Sequence, residues 1–400
     1  MNYDAVVIGG GLVGGITSLA LNRAGLRVAS VEAREPGSVP PRDHYAQRVS
    51  AISPASQNIL QALGVWRRLV PQRLCAYTDM RVWDQGGRGQ VHFDAGDAGL
   101  AILGTIVENR ELEWALAQSL KELPIAQYRP ARLDGFSDGG EFLELNLDQA
   151  RLRTRLLIGA DGAHSRVREL AGIQASQENY GQKAVVAVVR CREPHRHTAY
   201  QRFLDSGPLA FLPLSGNYNS IVWSTSTEHA ESLQALSDER FCAQLGDAFE
   251  MRLGPVETAG PRAAFPLWRI LAQRYLAPRV ALVGDAAHTI HPLAGQGVNL
   301  GLLDAAALAQ VVENVQAADR DIGLPANLRA YERWRRGHNT LVAQAMSGFV
   351  KLFGSHTAAA RRARNLGFDI TDRLVPLKRL FMLYASGQAG RMPRLAMTDS

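Results

Sequence analysis

The chain opens on an apolar run, Ala5-Val6-Val7-Ile8, that stops at the glycines Gly9, Gly10 and Gly11. An unbroken Val/Ile run, rather than an alternating one, is expected of a strand covered on both faces. Leu12 to Leu26 is helical by composition and breaks near Gly25, and Arg27 to Glu32 reads as a second strand. Two more apolar runs end in paired glycine and aspartate: Leu156 to Ile158 before Asp161-Gly162, and Val280 to Val283 before Gly284-Asp285. Between them, Lys183–Cys191, Thr198–Leu204, Leu209–Leu214 and Asn219–Thr225 have strand composition and are separated by turn residues. Helical spacing resumes at Ala326, just past the breaker Pro325, and runs into the C-terminal region. Strands alternating with helices, then a block of strands and a helical tail, predict an α/β fold with an inserted sheet.

Composition narrows the class. The 400 residues suffice for a large core, with 46% hydrophobic and 20% charged residues as in an ordinary globular protein. No 18-residue stretch is apolar and uncharged, so a membrane span is not expected. The first ten residues carry Asp4 and no basic residue, which makes a poor secretion signal. Three scattered cysteines, Cys75, Cys191 and Cys242, fit ordinary thiols in a reducing compartment and not a disulfide framework or a metal site. The expected location is the cytoplasm.

The net charge of +6 is concentrated. Lys351 to Arg394 holds nine basic and two acidic residues, leaving the remainder near neutral. The basic helical tail has two readings: core-packing helices with a solvated face, or a surface for a membrane or an acidic partner. No nucleic-acid motif accompanies the charge.

Gly9, Gly11 and Gly14 fit Gly-x-Gly-x-x-Gly between strand and helix. Gly9 permits a tight turn, Gly11 lets backbone approach a pyrophosphate, and Gly14 lets the helix pack closely on the sheet. The helix N-terminus then offers free N–H groups to phosphates. Glu32, eighteen residues past Gly14, is placed to meet ribose hydroxyls. NAD and FAD both remain open at this point.

The two later motifs also suit a cofactor. Asp285, at a strand end beside glycine, can accept bonds from ribityl hydroxyls. Gly295, Gln296, Gly297, Val298 and Asn299 open a helix whose first N–H groups can stabilise negative charge on a reduced ring. Taken singly, each motif is equally a capped helix start with aspartate as N-cap.

Together, in this order and at this separation, the three motifs resemble those of the flavoprotein aromatic hydroxylases with the para-hydroxybenzoate hydroxylase fold. The resemblance implies a Rossmann-like FAD-binding domain with an inserted β-sheet substrate domain and a helical tail. It implies FAD as cofactor, with Asp161-Gly162, Ser165 and Arg168 near FAD and the reductant site, and Gly284-Asp285 on the ribityl chain. The stretches GDAAHTIHPLAGQGVNLG, QRVSAIS, GTIVENREL, GPLAFLPL and SIVWS look more closely like the ubiquinone-biosynthesis hydroxylases. MRVWDQ, SIVWS and YERWRR look nearest the branch acting on C5 of 2-polyprenylphenol, with the branch acting on C6 of a methoxy-methyl-benzoquinol close behind.

Further expectations follow from that resemblance. The FAD domain would comprise residues 1–75, 100–180 and 275–335, the substrate sheet 76–99 and 181–274, and the helical region 336–400. Arg48 and Arg110 would approach the cofactor, and the Pro292 carbonyl would lie beside flavin and substrate, flanked by His288 and His291. Either histidine is a candidate for proton transfer, His291 first, or a hydrogen-bonded structural residue. Tyr200, Phe203, Phe211 and Trp223 either line an apolar pocket or belong to the core. Partners would be O2, a polyprenyl phenol or quinol, NAD(P)H or another electron donor, a biosynthetic complex, and peripheral contact with the inner membrane. Two other readings stay open: hydroxylation of a soluble phenol, and a non-catalytic FAD-binding scaffold.

Overall fold

The computed structural model describes residues 2–35, 39–40, 43–85, 89–290, 296–353, 367, 371–372 and 374–397. Asn2–Ile8 is the central strand of a largely parallel sheet. The order is Leu276–Ala277, Val280–Leu282, Arg151–Gly159, Asn2–Ile8, Val28–Val31, Ala126–Tyr128, and the hairpin Leu133–Asp138/Leu143–Leu147 adds to Arg151–Gly159. Ala5, Val6 and Val7 are fully buried, which is why their run is continuously apolar. Helices α1 (Leu12–Arg23), α2 (Pro54–Ala62) and α3 (Asn109–Lys121) follow the early strands, and α4 (Arg166–Leu170) follows Arg151–Gly159.

Register decides where the motifs meet. Ile8 pairs with Gly159 on one side and Val31 on the other, and Gly159 pairs with Leu282. The four strands therefore reach one row, and Gly9, Glu32, Ala160 and Val283 all leave it from the C-terminal edge. In open α/β sheets that edge is where ligands bind.

The second sheet has nine strands. Its main order is His288–Thr289, Ala263–Ala272, Ala175–Cys191, Tyr218–Ser226, Gly207–Pro213, Thr198–Leu204, Asp79–Asp84 and Gln90–Asp94. Helices α5 (Thr227–Ala235) and α6 (Asp238–Ala248) build a core with it around Val185, Phe211, Ile221, Trp223, Phe241 and Phe249. Of the two readings of the aromatics, pocket or core, the structure supports the core. Phe211 and Trp223 are buried in this core, Tyr200 packs against it, and Phe211 stacks on Phe249 at 3.8 Å. Phe203, one strand position out of phase with Tyr200, joins a separate cluster with Val82, Val91 and Met346. Strand alternation sends the two sets to different surroundings.

A three-stranded sheet, Val49–Ile52, Gly104–Glu108 and Cys75–Tyr77, completes the strand framework described here. Three long helical segments follow: α7 (Gln296–Ala317), α8 (Pro325–Phe353) and α9 (Val375–Ala385). Tyr331 on α8 lies in the first core and Met346 in the Phe203 cluster, so α8 spans both sheets. Cys75, Cys191 and Cys242 are free and buried. Among the described residues no helix is long and apolar enough to cross a membrane, and no cluster of metal ligands occurs.

One buried ion pair pins the three-stranded sheet. Arg73 donates from Nε to Glu108 Oε2 at 2.6 Å and from Nη2 to Oε1 at 2.7 Å, and Glu108 also accepts from the Ala46 N–H. Arg73→Ala leaves a buried carboxylate uncompensated. Denaturant unfolding should show a loss of about 3–5 kcal/mol, the usual cost of breaking a buried pair from one side.

Candidate cofactor and active site

The glycine turn is built by close approach. Gly9 has φ +102°, and a Cβ there would lie 2.4 Å from the Ala160 carbonyl oxygen. A Cβ on Gly14 would lie 1.8 Å from the Gly9 oxygen. These contacts lock the start of α1 against the ends of Asn2–Ile8 and Arg151–Gly159. Gly11 is the N-cap of α1, where no side chain caps the helix, and a Cβ on it would meet nothing within 4 Å. The first turn of α1 is therefore left without a side-chain cap. Glu32 Oε2 accepts from the Gly10 N–H at 2.6 Å and Oε1 from the Arg34 N–H at 2.9 Å. The acid thus holds the glycine turn itself, and a carboxylate retains acceptor sites beyond these two bonds.

At the Asp161-Gly162 motif, Ser165, not Asp161, is the N-cap of α4, and Asp161 braces it. Asp161 Oδ1 accepts from Ser165 Oγ at 2.5 Å and Oδ2 from the Val167 N–H at 3.1 Å, while Ser165 Oγ accepts from the Arg168 N–H. The buried Arg168 donates to Ala163 O at 2.7 Å and to Ala286 O at 2.8 Å. That second bond ties this motif to the Gly284-Asp285 turn, 118 residues on. Gly284 faces Val13 of α1, as does Gly301 of α7. Three motifs distant in sequence therefore share one neighbourhood.

Asp285 is exposed, yet surrounding protein desolvates its carboxyl and pushes it above the ordinary range, with His288 and Arg48 pulling the other way. Arg48 is exposed, stacks at 5.4 Å over Phe265 and contributes to the field at Asp285. Arg110 is exposed in the first turn of α3, next to Asn109, whose N–H bonds to Arg48 O. At the start of α7, a Cβ on Gly297 would meet no atom of the described residues within 4 Å. Val298 packs against the first core, and Asn299 is buried, donating to Ala51 O at 2.8 Å and accepting from the Ser53 N–H at 3.0 Å. Asn299 thus cross-links α7 to the loop before α2. His291, Pro292 and Gly295 lie outside the described residues, as do Arg361, Arg362, Arg364 and Arg373 of the basic tail.

A family model described as "FAD binding domain" matches residues 2–345. The chain belongs to this family. Ubiquinone hydroxylase UbiL of Rhodospirillum rubrum is 39% identical over 96% of this chain and 89% of its own length. The 3-demethoxyubiquinol 3-hydroxylase of Escherichia coli is 37% identical over 96% of this chain and 98% of its own. Among solved structures, the p-nitrophenol 4-monooxygenase PnpA of Pseudomonas putida superposes with a TM-score of 0.76 at 19% identity, covering 97% of this chain and 99% of that one. The fold is that of the FAD-dependent monooxygenases, the cofactor is FAD, and the chain is a flavin-dependent hydroxylase by class.

The flavoprotein's own residues fit that cofactor. Gly9 and Gly14 leave no room for a side chain where α1 meets the strand end, and a Cβ on Gly11, the N-cap of α1, would meet nothing within 4 Å. Sequence reasoning missed Val13, Asp304 and Arg335. Asp304 had a visible signal, an acid inside the apolar run Leu302 to Leu308.

Three outcomes follow from the site. Gly14→Ala should unfold or strongly destabilise the apoprotein, because backbone must move. Gly11→Ala should leave apoprotein melting nearly unchanged and weaken FAD binding at least tenfold, measured by flavin fluorescence titration. Asp285 binds its proton more readily folded than unfolded, so its contribution to apoprotein stability falls as pH rises through the interval above 3.8. Asp285→Asn should therefore raise apoprotein melting at neutral pH while lowering FAD affinity; a variant that melts lower and binds FAD normally would contradict this.

Proposed function

We propose that this flavoprotein hydroxylates the aromatic ring of a polyprenyl phenol or quinol during ubiquinone biosynthesis, with C5 of a 2-polyprenylphenol as the favoured position. The observation that carries the reading is the meeting of the glycine turn, the Asp161-braced cap and the Gly284-Asp285 turn at one sheet edge, in a chain 39% identical to a ubiquinone hydroxylase. Reduced FAD, when bound, supplies the activation of dioxygen. The protein's work is to bind, orient and shield.

In this reading Gly9, Gly11 and the N-terminus of α1 hold the pyrophosphate, and Glu32 meets the ribose. Asp285 accepts from the ribityl chain, with Arg48 balancing its charge. Gly297 and Val298 present N–H groups to the ring system, and Asn299 anchors them. Asp161, Gly162, Arg110 and Gly295 serve the cofactor, and Pro292 and His291 act on the substrate ring. Electrons come from NAD(P)H or another donor. The segment around α9 exposes Leu374, Val375, Leu380, Phe381 and Tyr384, which supports peripheral contact at the inner membrane or within a biosynthetic complex.

A second position, C6 of a methoxy-methyl-benzoquinol, is favoured by one observation: the 37% identity to 3-demethoxyubiquinol 3-hydroxylase over nearly both whole chains. A mass-spectrometric quinone-lipid profile of the host lacking this gene, grown with oxygen, separates the two. Accumulated polyprenylphenol without the C5 oxygen supports the first, and a demethoxy quinone supports the second. An unchanged profile sinks both and points to a soluble phenol.

A further inference from the structure

Asp304 has no part in the reading above, although it is fully buried on α7. Four donors converge on its carboxylate. Oδ2 accepts from the Gly284 N–H at 3.1 Å and from His288 Nε2 at 2.5 Å. Oδ1 accepts from Arg335 Nε at 2.7 Å and from Asn339 Nδ2 at 3.0 Å. The two oxygens serve different elements. Oδ2 takes both ends of the turn 284–288, and Oδ1 takes two residues one helical turn apart on α8.

Burial opposes ionisation of Asp304, but His288 and Arg335 beside it hold the carboxyl well below the usual carboxylate range. An ionised carboxylate only accepts, so His288 Nε2 carries the proton. The imidazole stacks on Tyr275 at 6.0 Å, and its Nδ1 is buried without a hydrogen-bond partner. A buried ion pair is not a general stabiliser, since apolar residues of similar volume often serve as well. What this one does is align.

Chain path gives the alignment its consequence. Val280–Leu282 belongs to the first sheet and His288–Thr289 to the second. Residues 283–287 are the crossing, and Asp285 lies between the two groups that Asp304 grips, directly after Gly284.

We propose that Asp304 is a positioning residue for FAD. By gripping Gly284 and His288 it aims Asp285 at the cofactor, and by gripping Arg335 and Asn339 it makes the seating of α8 and FAD binding depend on each other. The proposal rests on the reading that Asp285 meets the ribityl chain.

The test uses the full chain, reconstituted with FAD. His288→Leu removes the donor, whereas His288→Gln keeps an amide N–H near the place of Nε2. His288→Leu should weaken FAD at least tenfold and shrink the melting increment that FAD confers, and His288→Gln should stay within about threefold of the native affinity. A merely structural role would lower apoprotein melting and leave the FAD increment intact. Native affinity in His288→Leu, or equal loss in both variants, would overturn the proposal. Hydrogen exchange on the unaltered protein needs no variant: FAD should slow exchange at 284–288 and at 335–339 together, and protection of the turn alone would overturn the coupling. Asp285→Asn is the control. Native FAD affinity there, with loss in His288→Leu, faults the assignment of Asp285 and leaves the Asp304 grip standing.

Discussion

The site depends on one packing constraint, the contact of Gly14 with the carbonyl of Gly9. No Cβ fits between them. Because α1 can close on the strand end there, its N-terminus meets the row where Ile8, Val31, Gly159 and Leu282 align. Every later motif is positioned relative to that row. A helix seated one side-chain radius further out would separate its free N–H groups from the acid, the cap and the turn that share the edge.

Longer bonds then fasten the edge together. Glu32 closes the glycine turn through Gly10. Arg168 joins the Asp161-braced cap to Ala286. Asp304 joins the Gly284 turn to α8, and Asn299 joins α7 to the loop before α2. These are polar bonds between elements that the chain visits far apart, and most are buried. Buried polar groups are costly unless fully paired, so they specify one geometry where apolar packing would tolerate several. A flavin hydroxylase needs that: the cofactor must be held in one pose while water is kept from the reacting centre.

The crossing from the first sheet to the second passes through residues 283–287. The two sheets are therefore joined through the chain at Asp285. The aromatic residues of the large sheet serve that continuity indirectly. Phe211, Trp223 and Phe249 form the core that keeps the sheet rigid, and Phe203, with Met346 of α8, fastens its far edge.

Local chemistry was legible in the chain itself. The apolar run into Gly9, the spacing of Gly11 and Gly14, and the acids at Glu32, Asp161 and Asp285 follow from what a strand end, a helix start and a phosphate require, and these are requirements over a few residues. FAD class and fold were legible for the same reason, since three such motifs occur in one order. Tertiary structure decided the rest. Whether Phe211 faces a pocket or a core depends on which face α5 and α6 cover, and alternation alone does not say. That Glu32 grips a turn 22 residues back, that Asp304 gathers partners 16 to 35 residues away, and that Arg168 reaches Ala286, 118 residues on, depends on the folded chain. Hydrogen bonds act over about 3 Å of space whatever the distance along the chain, so only the folded chain could decide them.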